Sequence, residues 1–167
     1  MKHDQSGVPE KAVTDLLNGN QRAGLIILRV FIGWHFLYEG IIKWIDPAWS
    51  SAGFLRSSTG IFAGLFSWIA GNSTLLTIAD ILNEAGLVII GAALIAGLRT
   101  RPTAVAGIIL LGLFYLAHPP LFDGAAGEHY LLIDKNLIEM SGLFLLAVFD
   151  AGRIAGIDAL IKKRRWC

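Results

Sequence analysis

Charge is what this sequence of 167 residues has least of. Asp, Glu, Lys and Arg make up 16% of it, where an ordinary soluble domain carries about 25%. The 14 Lys and Arg nearly cancel the 13 Asp and Glu, leaving +1, which excludes a protein that holds polyanions such as nucleic acid through bulk charge. There is one cysteine, Cys167, so no disulfide forms within the chain and no C-x-x-C serves dithiol redox chemistry or zinc. A thiol oxidoreductase working alone is therefore excluded. Five prolines and 19 glycines without a G-x-y period exclude a collagen-like chain. Disorder is excluded too, since 54% of the residues are hydrophobic. With a mean hydropathy of +0.60, what remains is a single-domain membrane protein.

Four apolar stretches are expected to cross the bilayer: 22–45, 77–98, 102–118 and 134–150, since ~20 apolar residues span a ~30 Å hydrocarbon core. Residues 1–21 are polar and read as a cytoplasmic N-terminal segment. Asn18, Gly19 and Asn20 break any helix there, and no secretion signal is expected. Lys2, Lys11 and Arg22 precede the first span, Arg99 and Arg101 lie between the second and third, and Arg153 with Lys162, Lys163, Arg164 and Arg165 follow the fourth. These groups share one side only if the number of spans is even, so both termini are expected in the cytoplasm. Residues 161–167 form a basic tail. Cys167 lacks a C-a-a-X box and reads as an inert terminal residue.

The segment 46–76 is too apolar for a solvated linker and too interrupted by Gly53, Gly60, Gly64 and Gly71 to span. Apolar residues recur at three and four from Ile61 to Ile69, so a short amphipathic helix is expected, at the outer interface or folded over the helices as a lid. The expected fold is thus all-α: an integral membrane four-helix bundle with an amphipathic outer loop segment.

Ionisable groups inside a span are costly and point to function. The first span carries Arg29, His35, Glu39 and Lys43 within one arc of about 120°, bordered by Tyr38. The second carries Asp80, Asn83 and Glu84, and the fourth Lys135, Asn136 and Glu139. Each helix has one polar stripe, as expected when stripes face each other in a bundle. Most of these groups fall at one depth, in the outer half of the bilayer, with Glu39 about 10 Å below the boundary. Arg29 lies deeper. Glu39, Glu84 and Glu139 outnumber Lys43 and Arg29, so one carboxyl is expected to stay protonated, which suits proton transfer. His35 and His118 are the residues a haem would need across two helices, but nothing else marks a porphyrin pocket. His129, beside Asp123 and Glu128, reads as a solvated loop residue rather than a metal ligand.

The segment from Arg29 through "GWHFLYEGIIKW" resembles the opening of the DoxX family. "SAGFLRSSTGIFAGLFSWIAGN" (51–72) resembles the outer loop of its DoxD branch, the small membrane subunit of thiosulfate:quinone oxidoreductase. "GLVIIGAALIAGLRTRPTAVAG" (86–107) and "YLLIDKNLIE" (130–139) are similar to the family's middle helices and its entry to the last helix. The resemblance covers roughly 22–160. It implies a membrane redox subunit, with Arg29, Glu39, Lys43, Glu84, Lys135, Asn136 and Glu139 carried over by motif.

The leading expectation is a redox subunit in a bacterial or archaeal cytoplasmic membrane. Glu39, Glu84 and Glu139 would move protons. Arg29, His35, Tyr38, Lys43, Asn83, Lys135 and Asn136 would bind thiosulfate or a related small reductant. Quinone is the expected electron acceptor, and no intrinsic metal, flavin or haem is expected. Membrane lipid, a second redox subunit or another copy of the chain are the expected partners, and nucleic acid is not. A non-catalytic scaffold or assembly subunit and a small proton-coupled transporter are the alternatives. Gly86, Gly91, Gly107 and Gly112 mark helix faces that can approach closely, within the bundle or between subunits.

Overall fold

The computed structural model describes residues 17–120 and 132–164, with side chains through Ile161. Among the described residues seven helices run in order: α1 (Gly19–Ile45), α2 (Ala52–Arg56), α3 (Ala63–Gly71), α4 (Ser73–Ala96), α5 (Thr100–Ala117), α6 (Lys135–Val148) and α7 (Ile157–Arg164), with a 3-10 turn at Ala151–Arg153. The all-helical class is as expected. By length and composition, α1, α4 and α5 can each cross a membrane, which makes this a multi-pass membrane protein. The fourth expected span, α6, has 14 residues and a length of about 21 Å.

The helix ends are set by local chemistry. Asn18 and Asn20 do not break α1. The Asn18 side chain instead accepts from Gln21 N at 2.9 Å, Gln21 Oε1 accepts from Asn18 N, and the helix starts at Gly19. Asn72 caps α4 by accepting from Thr74 and Leu75 N, so the helix begins at Ser73, four residues before the expected start. Asp134 caps α6 by accepting from Leu137 N at 2.9 Å. Gly97 ends α4 in the left-handed conformation (φ 65°), with Leu98 N donating back to Ala93 O, a glycine-terminated helix end.

The four longest helices share one core. Ile32 and Phe36 of α1, Leu87, Ile90 and Leu94 of α4, Ala104 and Leu111 of α5, and Leu143 and Leu146 of α6 are buried against one another. The closest approach is between α1 and α4. A Cβ on Gly91 would stand 2.7 Å from Gly33 O and collide with the Leu37 backbone, so the two helices touch through their main chains. Gly107 likewise meets Leu143 of α6. Both glycine faces are thus used inside the chain. Outward-facing residues such as Phe31, Trp34, Ile81, Leu82, Ile89, Ile109 and Phe144 are large, apolar and exposed, as lipid requires.

The segment between α1 and α4 folds back over the helix ends. Leu55 of α2 and Phe66 and Ala70 of α3 pack with Ala117 of α5 in a second cluster, flanked by Ile69, Leu76 and Ala79. Thr59 N donates to Ala117 O at 3.0 Å, occupying a carbonyl left free at the end of α5. The expected helix over 61–69 is present, shifted to Ala63–Gly71. It is not amphipathic. Phe66 and Ala70 are buried while Leu65 and Trp68 are exposed, and Ser67 is the one polar residue within it. A helix apolar on every side faces protein on one side and lipid on the other.

Candidate functional site

α1 and α5 end where α4 and α6 begin, and a cavity of about 830 Å³ opens between these four helix ends. Its floor is the top of the core: Phe36, Leu87 and Leu111. Its walls carry His35, Glu39 and Lys43 from α1, Asn83 from α4, Phe114 and His118 at the end of α5, and Lys135, Asn136 and Glu139 from α6. Trp49, Ser50, Ser51 and Phe54 close it from the folded-back segment. The volume lies within the ~300–1,000 Å³ range of small-molecule sites.

A line of paired groups runs down one wall. The Lys43 ammonium is 3.5 Å from Glu39 Oε2 and lies 5.5 Å from the Trp49 ring centroid and 5.7 Å from that of Phe114, so an aromatic pair shares the cation with the carboxylate. Glu39 Oε1 faces His35 Nε2 at 4.0 Å. His35 Nδ1 pairs with Glu139 Oε1 of α6. Exposure is uneven along the line: Lys43 is 18% exposed, Glu39 and His35 43% and 41%, and Glu139 16%. The charges of Glu84 and Lys135 also act on Lys43.

The remaining polar groups divide into occupied and free. Asn136 Nδ2 donates to Asp134 Oδ2 at 2.7 Å, which orients the start of α6. Asn83 Oδ1 is buried and has no hydrogen-bond partner. A buried carbonyl without a donor costs about 1–3 kcal/mol, so a ligand bearing an O–H or N–H finds an acceptor waiting on this wall. His118 Nε2 donates to Phe54 O at 2.9 Å, and its ring stands 4.5 Å from that of Phe54. Its nitrogen therefore holds the closing segment.

Three of the expected site residues lie elsewhere. Arg29 is 3% exposed and faces the opposite end of the protein, where Nη1 donates to Ala151 O at 3.0 Å and Ala155 O at 2.5 Å. It ties α1 to the turn that follows α6. Tyr38 points outward, 52% exposed and stacked on Trp34 at 6.5 Å. Glu84 is half-buried and off the cavity wall. The shared stripe on α1 runs past the cavity because six residues, about 9 Å of helix, separate Arg29 from His35.

Other residues of the site carried weak signals. Asp80 accepts from Ser50 Oγ at 2.9 Å, Ser51 N at 2.8 Å and Ser51 Oγ at 2.5 Å, and so anchors the segment that bears Trp49 and Phe54. Periodicity marked Asp80 itself, on one stripe with Asn83 and Glu84; the sign of its partners was the Ser-Ser pair in the preceding loop. The aromatic wall of Trp49, Phe54 and Phe114 resembled ordinary membrane-facing residues.

The profile of the DoxX family matches residues 24–119, more than half of the chain. The chain belongs to the DoxX family. Neither a curated protein nor a solved structure matches it. The DoxX match runs from α1 to the end of α5, and so takes in His35, Glu39, Lys43, Trp49, Asn83 and Phe114. The α6 contribution to the DoxX cavity, Lys135, Asn136 and Glu139, lies beyond it.

Proposed function

We propose that this DoxX-family protein is a membrane redox subunit of the DoxD type, whose cavity receives a quinone and a small anionic reductant such as thiosulfate. The observation that carries this reading is the cavity itself. An open, aromatic-walled space of about 830 Å³ joins a carboxylate–imidazole pair to a lysine and to an unpartnered amide oxygen. A scaffold has no use for such a space, and its buried Asn83 carbonyl would be better replaced by an apolar group.

The residues present fit a quinone. Phe36, Phe54, Trp49 and Phe114 offer apolar and aromatic surface for the ring. Asn83 can donate from Nδ2 to a quinone carbonyl and accept at Oδ1 from a quinol hydroxyl. A quinone supplies the electron sink, taking up two electrons and two protons to become quinol. Glu139, paired with His35, is the proton store on that wall. Lys43 and Lys135 attract the anion at the mouth.

In this reading α6 is the fourth crossing, with Leu132, Ile133 and Phe149 extending its apolar length. Four crossings place the Arg99–Arg101 turn and both chain ends in the cytoplasm of a bacterium or archaeon, and the cavity mouth outside. The electron path between reductant and quinone is direct or runs through a partner subunit.

The test is reduction of a short-chain ubiquinone by thiosulfate in membranes containing the protein. Glu39→Gln and Lys135→Met are expected to lower the rate by roughly a hundredfold. Full activity in both variants, or no thiosulfate-dependent reduction by the unaltered protein, would overturn the reading.

A further inference from the structure

His35 stands between two carboxylates that belong to different helices. On the α1 side, Nε2 faces Glu39 Oε1 at 4.0 Å, one turn nearer the cavity mouth. On the α6 side, Nδ1 pairs with Glu139 Oε1, the less exposed of the two acids. Glu39 is itself divided, one oxygen toward His35 and the other 3.5 Å from Lys43. Each group thus faces the next through a different atom, and of Glu39, His35 and Glu139 the last is the least exposed.

An imidazole is the side chain that can use such an arrangement. It can accept a proton at one ring nitrogen and release another from the second. A pair whose only role was to tie α1 to α6 would need one of the two contacts. The second carboxylate adds nothing to that tie.

We infer that His35 carries protons between Glu39 at the mouth and Glu139 at the interior of the cavity. The step balances without any other reagent. The Glu39 carboxyl gives its proton to Nε2, Nδ1 gives its own to the Glu139 carboxylate, and the three groups keep their total charge. The ring ends in the other tautomer and returns by rotating or by exchanging with solvent. The 4.0 Å separation from Glu39 is crossed by one water or by a rotamer change of Glu39 away from Lys43. The ionisable and polar groups that line the cavity around this path are Glu39 and Lys43 on α1, Ser50 and Ser51 of the closing segment, Asn83 on α4, His118 at the end of α5, and Asp134, Lys135, Asn136 and Glu139 at the start of α6, with the charge of Glu84 acting on Lys43 from behind the wall. The inference rests on the proposed reading in one respect, that protons are consumed inside the cavity.

The test requires neither quinone nor thiosulfate. The full chain in lipid nanodiscs is brought to a pH at which infrared spectroscopy shows the Glu139 carboxyl band, assigned by its loss in Glu139→Gln. The sample is then mixed with D2O, and the rate at which the band shifts is read. His35→Gln keeps hydrogen-bonding capacity but cannot relay, and is expected to slow the shift roughly a hundredfold. Glu39→Gln is expected to slow it as well, and added imidazole to restore it in His35→Ala. An unchanged rate in His35→Gln, or a slow His35→Ala that imidazole leaves slow, would overturn the relay. A working relay in a protein that never reduces quinone would overturn the proposed function alone.

Discussion

At the scale of single residues, the most consequential side chains outside the cavity serve the opposite end. Arg99, which precedes α5, adopts a left-handed conformation (φ 44°) and offers no cap of its own. Asp158, from α7, supplies the cap instead, accepting from Arg99 N at 2.8 Å and Thr100 N at 3.1 Å. Its carboxylate meets the positive end of the α5 dipole while its own N–H donates to Gly97 O. Arg29, also at this end, holds two carbonyls of the adjoining turn. Asp158→Ala removes both acceptors from the first turn of α5 and is expected to cost about 1–2 kcal/mol. A midpoint of unfolding in nanodiscs equal to that of the unaltered protein would contradict this. Such a cap is invisible in the sequence because capping rules look to the residue before the helix, and Asp158 comes 59 residues after Arg99.

Between elements, α1 and α4 meet through glycine, and this contact positions Phe36 and Leu87 as the cavity floor. At Gly91 a methyl group would face backbone on α1, which cannot turn aside as a side chain can. Gly86, on the same helix, has only Leu110 Cδ2 at 3.8 Å, an ordinary contact. Gly91→Ala is therefore expected to separate the helices and destabilise the protein by about 1–3 kcal/mol. Gly86→Ala is expected to stabilise it by about 0.5–1 kcal/mol, by relieving the entropy cost of glycine within a helix. Equal effects at the two positions, read from paired unfolding curves, would show that the α1–α4 seam is looser than it stands. The periodic spacing of glycines revealed that close approach was available. It did not reveal which partner each glycine meets, since that depends on the rotation of the neighbouring helix.

Across the whole molecule, the sequence made the titratable cluster legible and left its limits obscure. His35, Glu39 and Lys43 share one side of α1 by helical periodicity alone, and their partners on α6 follow from the same rule. Asn83 and Glu84 are neighbours 100° apart. Both read as part of one stripe, yet only Asn83 reaches the cavity. The closing segment was legible as apolar and helical, but its anchors, Asp80 and His118, depend on contacts across the fold. The same long-range view bears on topology. The fourth apolar stretch read as a span, and the helix it forms, α6, is short. Even so, Tyr115 Oη donates to Leu132 O at the cavity end, and Asp158, beyond α6, bonds the α4–α5 turn. The chain thus enters α6 at one end of the molecule and leaves it at the other. Both contacts accord with the proposed fourth crossing. Single cysteines at Leu98→Cys, Leu160→Cys and Ala48→Cys, each in a Cys167→Ser background, test this with a membrane-impermeant maleimide. In intact cells Ala48→Cys is expected to react, while Leu98→Cys and Leu160→Cys react only after permeabilisation. Labelling of Leu160→Cys together with Ala48→Cys would mean that α6 does not cross, and would leave Lys135 and Glu139 without their place on the cavity wall.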